Sequence, residues 1–181
     1  MAEISKQLGK DGNVYRQEYE KLTAAIEKFF WDEEKGAYID SFTSGKRNVT
    51  RHANIFAILF DIADKQKQEK ILTNVLENDE IPAITTPYFN FFELDVLCQM
   101  GKLTEVLDKI RSYWGGMLDL GAVTFWEEYD PSVPKEEQYD MYGDHFGKSL
   151  CHAWAASPIY FLAKYFAGLD LVNKDGVTYV L

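Results

Sequence analysis

Apolar residues near the start of the chain recur at steps of three and four. Tyr15, Tyr19, Leu22, Ile26 and Phe29 fall on one face of a helix that Asn13 is placed to cap and that ends near Trp31. The turn Asp32-Glu33-Glu34-Lys35-Gly36 follows, then a short extended run from Ala37 to Phe42. A second helix is predicted from about Thr50 through Ile55, Leu59 and Ile62. Asp64 caps a third, with Ile71, Leu72, Val75 and Leu76 on its inner side and Lys65, Lys67, Glu69 and Lys70 on a solvated charge face.

Thr86-Pro87 opens a fourth helix, with proline at the first helical position, where its missing N–H does no harm. Phe89, Phe91, Phe92, Leu94, Val96, Leu97 and Met100 make that helix apolar nearly all round, so it is expected to be buried on most sides until Gly101 stops it. A fifth helix returns from about Leu103 to Met117 with Val106, Leu107, Ile110 and Trp114 inward. Periodicity then ceases between about Ala122 and Gly147, a stretch too rich in aromatic residues for disorder. A helix is expected to resume at Ser149 with Leu150, Ala153 and Trp154, to be kinked or restarted at Ser157-Pro158, and to end at Gly168. The tail has a turn at Asp175-Gly176 and a β-like run from Val177 to Leu181.

Helix, short link, helix, repeated in this way, predicts an all-α fold of paired helices, layered as in a solenoid or a closed toroid. No crisp repeat motif favours a solenoid of near-identical units. The 181 residues suffice for one hydrophobic core. No run of about 18 apolar residues predicts a membrane span, and the polar stretch from Met1 to Asp11 is not a secretory signal. A net charge of −10 without a basic stripe argues against nucleic acid and anionic lipid as partners. Cys98 and Cys151 both stand in apolar surroundings and are expected to be buried thiols. Aromatic residues make up 15% of the chain, which suits a sugar-binding cleft and a large core equally.

The candidate chemistry lies between Thr124 and Trp154. Glu127 and Glu128 sit between Trp126 and Tyr129, with Asp130 next. Aromatic neighbours desolvate a carboxylate and raise its pKa toward a range useful for acid–base work. On an extended segment adjacent residues point opposite ways, so only one of the pair is expected to face a site. The plainer alternative is that these acids merely solvate a loop. His145 and His152 share one face if a continuous helix joins them, but no tight His, Cys and carboxylate spacing supports a metal site, and no cofactor is implied. His52, beside Arg51 and Asn54, is either a cleft residue or a helix-surface one.

Several of these stretches, in order, resemble the C-terminal part of bacterial α-L-rhamnosidases of glycoside hydrolase family 78. They are Phe30-Trp31-Asp32, Gly36-Ala37-Tyr38, His52-Ala53-Asn54, Thr86-Pro87-Tyr88-Phe89, Gly115-Gly116-Met117, Gly121-Ala122-Val123-Thr124-Phe125-Trp126-Glu127, and Ser149-Leu150-Cys151-His152-Ala153-Trp154 with Ser157-Pro158. The resemblance implies about half of an (α/α)6 barrel that hydrolyses terminal α-L-rhamnosides with inversion. On that basis Glu127 is the general base, His152 lies in the sugar pocket, Trp126 and Trp154 form its walls, and Glu128 and Tyr88 join them in binding substrate. A second carboxyl, the general acid, is required about 6.5–9.5 Å away.

The chain departs from that family in supplying only about half of the barrel's helices and no upstream acidic motif for the general acid. Residues 1–169 are therefore expected to be part of a catalytic domain and residues 170–181 the lead-in to a β-domain. The 181 residues alone are expected to be inactive and to self-associate through exposed inner helices. A non-catalytic sugar- or protein-binding module, or another α/α-barrel glycosidase, is the alternative.

Overall fold

The computed structural model describes residues 1–173 and 176–179, and these fall into two compact units, Met1–Pro82 and Ala83 onward. The fold is all-α apart from two small hairpins, as the spacing of apolar residues predicts. No described helix is long and apolar enough to cross a membrane.

The first unit opens with a short helix, α1 (Ala2–Gln7), which has no counterpart in the apolar pattern. Helix α2 (Asn13–Phe30) follows, and its start differs from expectation. Asn13 is the first helical residue rather than the cap, and its own N–H donates to the Asp11 carboxylate at 2.9 Å. Strands β1 (Trp31–Asp32) and β2 (Ala37–Tyr38) then form a minimal antiparallel pair around the acidic turn. Helix α3 (Arg51–Leu59) begins after an extended Thr50 and buries Ile55, Ala57 and Ile58. The Asp64 side chain caps α4 (Lys65–Ile71) by accepting the Lys67 N–H at 2.9 Å. This helix continues as a wider turn, Leu72–Leu76, that buries Leu72, Val75 and Leu76.

The charge face of α4 is not merely solvated. Lys67 pairs with Glu27, which also accepts the Tyr38 hydroxyl, and its ammonium lies 4.9 Å from the Trp31 ring centre. Lys70 covers the same ring at 5.7 Å. Two lysines thus hold an indole over the minimal β-hairpin, because an ammonium is attracted to the negative face of the ring. Arg51 is buried as well, and donates to the carbonyls of Leu76 at 2.8 Å and Asn78 at 3.3 Å. Carbonyls at the end of a helical segment carry partial negative charge and compensate a cation taken out of water.

The second unit is built on a helical hairpin. Helix α5 (Pro87–Gln99) buries Leu94, Val96, Leu97 and Cys98, stops at Gly101 with φ 75°, and returns as α6 (Leu103–Asp119), which buries Val106, Tyr113, Trp114 and Met117. An irregular segment then runs to residue 152 and includes a single 3-10 turn at Lys135–Glu137 and a tight hairpin at Met141–Asp144. Here the expected helix from Ser149 does not form. Residues 149–152 are irregular, with bends at Leu150 and Cys151, and are tied to 125–127 by two backbone bonds: the Glu127 N–H donates to the Ser149 carbonyl at 2.9 Å and the His152 N–H to the Phe125 carbonyl at 2.8 Å. Cys151, expected to be buried, is consequently exposed, whereas Cys98 is buried.

Helical structure restarts with a single turn, Ala153–Ala155, and with α7 (Ser157–Phe161), extended by Leu162–Phe166. Pro158 sits in the first turn of α7, where its missing N–H is tolerated. The Trp114 indole donates to the Ala155 carbonyl at 2.8 Å and fastens this restart to α6. Strands β3 (Leu169–Asn173) and β4 (Gly176–Tyr179) close the description as an antiparallel pair with Leu169 opposite Tyr179. The turn expected at Asp175 and the end of the β-like run at Val180 and Leu181 lie outside the described residues.

Candidate functional site

The pairing of residues 125–127 with 149–152 brings Glu127, Ser149 and His152 together from distant parts of the sequence. Glu127 Oε2 accepts the Ser149 N–H at 3.1 Å and lies 4.0 Å from His152 Nδ1. Oε1 accepts the Tyr142 hydroxyl at 2.7 Å. The side chain is largely buried, with 13% of its surface exposed.

Glu128 points elsewhere. Its Oε1 accepts the Thr85 hydroxyl at 2.8 Å, and its Oε2 lies 3.8 Å from the buried Lys148 ammonium. The two adjacent acids therefore have separate hydrogen-bond partners. Asp130, the third acid, caps its own turn by accepting the Ser132 N–H at 2.9 Å and hydroxyl at 2.6 Å.

Electrostatics at Glu127 run opposite to the expectation from its aromatic neighbours. The Tyr142 hydroxyl holds its carboxyl below the usual carboxylate range, and burial, which pushes the other way, is outweighed once the Ser149 amide, His152 and Lys148 add their share. Donors and positive charge stabilise the ionised form more than desolvation destabilises it. Glu127 is thus kept as an anion at neutral pH and is suited to accept a proton rather than to deliver one.

The aromatic residues divide into two groups. Trp126 is 3% exposed and packs edge-on against Tyr139 with ring centres 5.6 Å apart. It anchors the segment from beneath and presents no open ring face, unlike the wall it was expected to form. Trp154 and Tyr88 are about half exposed, lie 5.4 Å apart, and line a hollow of about 410 Å³ with Phe91, Phe92 and Ser157. The His152 ring lies 4.1 Å from the Trp154 ring and links this hollow to Glu127. The His152 Nε2 is buried and bonded to no described residue. Glu127, His152, Trp154 and Tyr88 are therefore successive neighbours, with Trp154 and Tyr88 lining the hollow and His152 standing between them and Glu127.

His145 is not one of these neighbours. It is exposed, contacts Asp140 at 2.6 Å and packs on Phe146, since no helix carries it into register with His152. No group of three His, Cys, Asp or Glu residues arranged for a metal ion occurs among the described residues. In the first unit His52 is exposed on α3, while its neighbours Arg51 and Asn54 are buried and bonded to backbone.

Sequence reasoning overlooked Tyr142, Lys148 and Thr85. The signal for Tyr142 was faint, because Tyr-Gly is not among the usual pairs for a tight hairpin turn.

Residues 1–166 match the family model described as bacterial alpha-L-rhamnosidase 6 hairpin glycosidase domain. Among solved structures, the chain is similar to a rhamnosidase from Klebsiella oxytoca with rhamnose bound, at 32% identity and a TM-score of 0.75, over 86% of this chain and 29% of that one. It is also similar to a GH78 family rhamnosidase of Bacillus sp. GL1, at 28% identity and a TM-score of 0.73, over 88% of this chain and 17% of that one. The chain spans less than a third of the length of either enzyme. No functionally curated protein matches it.

Proposed function

Because the chain belongs to the bacterial α-L-rhamnosidase six-hairpin glycosidase family, we propose that it carries the water-activating side of an inverting glycoside hydrolase acting on terminal α-L-rhamnosides. Glu127 is the general base. The observation that supports this most is the environment of its carboxylate, held ionised by the Tyr142 hydroxyl, the Ser149 amide and His152, whose ring packs on Trp154 of the aromatic hollow.

In the proposed reaction a water molecule lies between Glu127 and the anomeric carbon. Glu127 takes a proton from that water as the new C–O bond forms and the glycosidic bond breaks with inversion. Trp154 and Tyr88 offer ring faces to the apolar C–H side of the sugar, and His152 supplies a polar contact to it. The leaving oxygen needs a proton from a second carboxyl on the far side of the sugar, about 6.5–9.5 Å from the base. Glu128 does not serve as that acid, being committed to Thr85 and Lys148. The 181 residues alone therefore supply one of the two carboxyl groups and turn over substrate negligibly. Residues 1–169 belong to the catalytic domain on this reading, and exposed apolar side chains on α2, such as Val14 and Leu22, promote self-association of the isolated chain.

The test is hydrolysis of an aryl α-L-rhamnoside by the longest native reading frame that contains this chain, with and without Glu127→Gln. A loss of about a hundredfold or more in kcat is expected, since general-base assistance contributes about 10²–10⁴. An amide variant as active as the parent rejects Glu127 as the base. A frame that hydrolyses nothing but still binds rhamnose favours a sugar-binding module.

A further inference from the structure

Tyr142 stands at the tip of a two-residue hairpin turn. Met141 and Asp144 exchange both backbone hydrogen bonds, each 3.0 Å, and the residues between them have φ values of 56° and 81°. Left-handed backbone at both positions suits Asn, Asp and Gly, and Gly143 obeys that rule. Tyr142 breaks it, because a bulky side chain at positive φ crowds its own backbone.

The surroundings hold the turn in place. The Lys148 N–H donates to the Tyr139 carbonyl at 3.2 Å, and His145 contacts Asp140 at 2.6 Å. Gly147 lies so close to the Met141 carbonyl that any side chain there would collide with it. Burial does not explain the choice of tyrosine, since Tyr142 is 80% exposed. The contact that singles it out is its hydroxyl, which donates to Glu127 Oε1 at 2.7 Å. Unfavourable backbone held by its neighbours beside a reactive group is a recurrent sign of function.

We propose that Tyr142 is a positioning residue for Glu127, fixing the plane of the carboxylate from a tight hairpin so that a free lone pair faces the attacking water. The proposal rests on the reading of Glu127 as the base. The Ser149 N–H anchors one carboxylate oxygen and Tyr142 the other, so rotation about the last side-chain bond is arrested from two separate elements. The other titratable groups facing Glu127 are His152 and Lys148, both favouring its anion, while Glu128 turns toward Thr85. Tyr142 keeps its proton throughout, because the negative charge it faces disfavours ionising the phenol.

A direct test is carbon-13 NMR titration of the 181-residue chain labelled at the glutamate carboxyl carbons, with the Glu127 signal assigned by its loss in Glu127→Gln. In the unaltered chain Glu127 should titrate below free glutamate. Tyr142→Phe keeps the ring and removes only the hydroxyl, so the Glu127 midpoint should rise. Tyr142→Asn suits the left-handed turn better and should raise the midpoint too, while leaving the fold at least as stable. Superimposable Glu127 titrations of Tyr142→Phe and the parent, with amide spectra showing both folded, overturn the proposal. Spectra showing Tyr142→Phe unfolded while Tyr142→Asn folds with an unmoved Glu127 midpoint overturn it as well. No turnover enters this readout, so it stands apart from the hydrolysis test of Glu127 as base.

Discussion

Asn54 pairs with the backbone of Tyr38 as a neighbouring strand would. Its side-chain oxygen accepts the Tyr38 N–H at 2.8 Å, and its side-chain amide donates to the Tyr38 carbonyl at 2.9 Å and to the Thr50 carbonyl at 2.8 Å. Both residues are almost fully buried. A two-residue strand has one sheet neighbour, and α3 provides the other through this single amide.

Asn54→Ala should therefore leave an N–H and a carbonyl of Tyr38 buried without partners. Each orphaned group costs about 1–3 kcal/mol, so a loss of about 3 kcal/mol is expected. In a chain of this size that lowers Tm by roughly 6–12 °C. Thermal unfolding followed by circular dichroism gives the answer, and a melting point unchanged from the parent would refute the strand-like role of Asn54.

Gly115 and Gly116 are adjacent on α6 yet should respond oppositely to alanine. A Cβ at Gly115 meets open space, whereas one at Gly116 collides with the hydroxyl end of the Tyr129 ring. That ring cannot simply swing away: the Tyr129 N–H donates to the Thr85 carbonyl at 3.0 Å, and the ring packs edge-on against Tyr113. Gly115→Ala should gain about 0.5–1 kcal/mol from better helix propensity. Gly116→Ala should lose about 1–3 kcal/mol through overpacking. Urea midpoints at constant slope measure both, and equal shifts for the two would remove Tyr129 as the cause.

Which parts of the molecule were legible in its sequence follows from the range of the interactions involved. Helix α5 is announced locally, by Pro87 at its start, Gly101 at its end and apolar residues all round. The segment from Ser149 to His152 is not. Its spacing of Leu150, Ala153 and Trp154 fits a helix, but its backbone bonds go instead to Phe125 and Glu127, more than twenty residues earlier. The same non-local pairing brings His152 to Glu127 while leaving Cys151 in solvent. Acidic residues beside rings pointed to Glu127, but the sign of its pKa shift depended on donors that proximity in sequence does not reveal. Asn54 was noticed only as a neighbour of His52, since a buried amide serving as a strand leaves no mark in the apolar pattern.

Asp32 makes the stability of the first unit depend on acid. Its Oδ1 accepts the N–H groups of Glu34 at 3.0 Å and Lys35 at 3.1 Å, and its Oδ2 lies 2.8 Å from the Arg47 guanidinium. Burial by itself would raise its pKa, but the Lys35 amide, the Arg47 guanidinium and the Glu34 amide together outweigh burial and hold it below the ordinary value of 3.8. The unfolded chain therefore takes up the proton at a higher pH than the folded one. The resulting stabilisation is complete above about pH 4 and is lost as the pH falls through the folded-state pKa. Asp32→Asn, which keeps the shape and gives up the charge, should cost about 2 kcal/mol at neutral pH. The gap between parent and variant should then narrow steadily in acid, as the protonated parent comes to resemble the amide. Urea unfolding at a series of pH values from neutral to well below 3.8 measures that gap, and a gap that stays constant across the acid range means that the Asp32 charge contributes nothing to the turn.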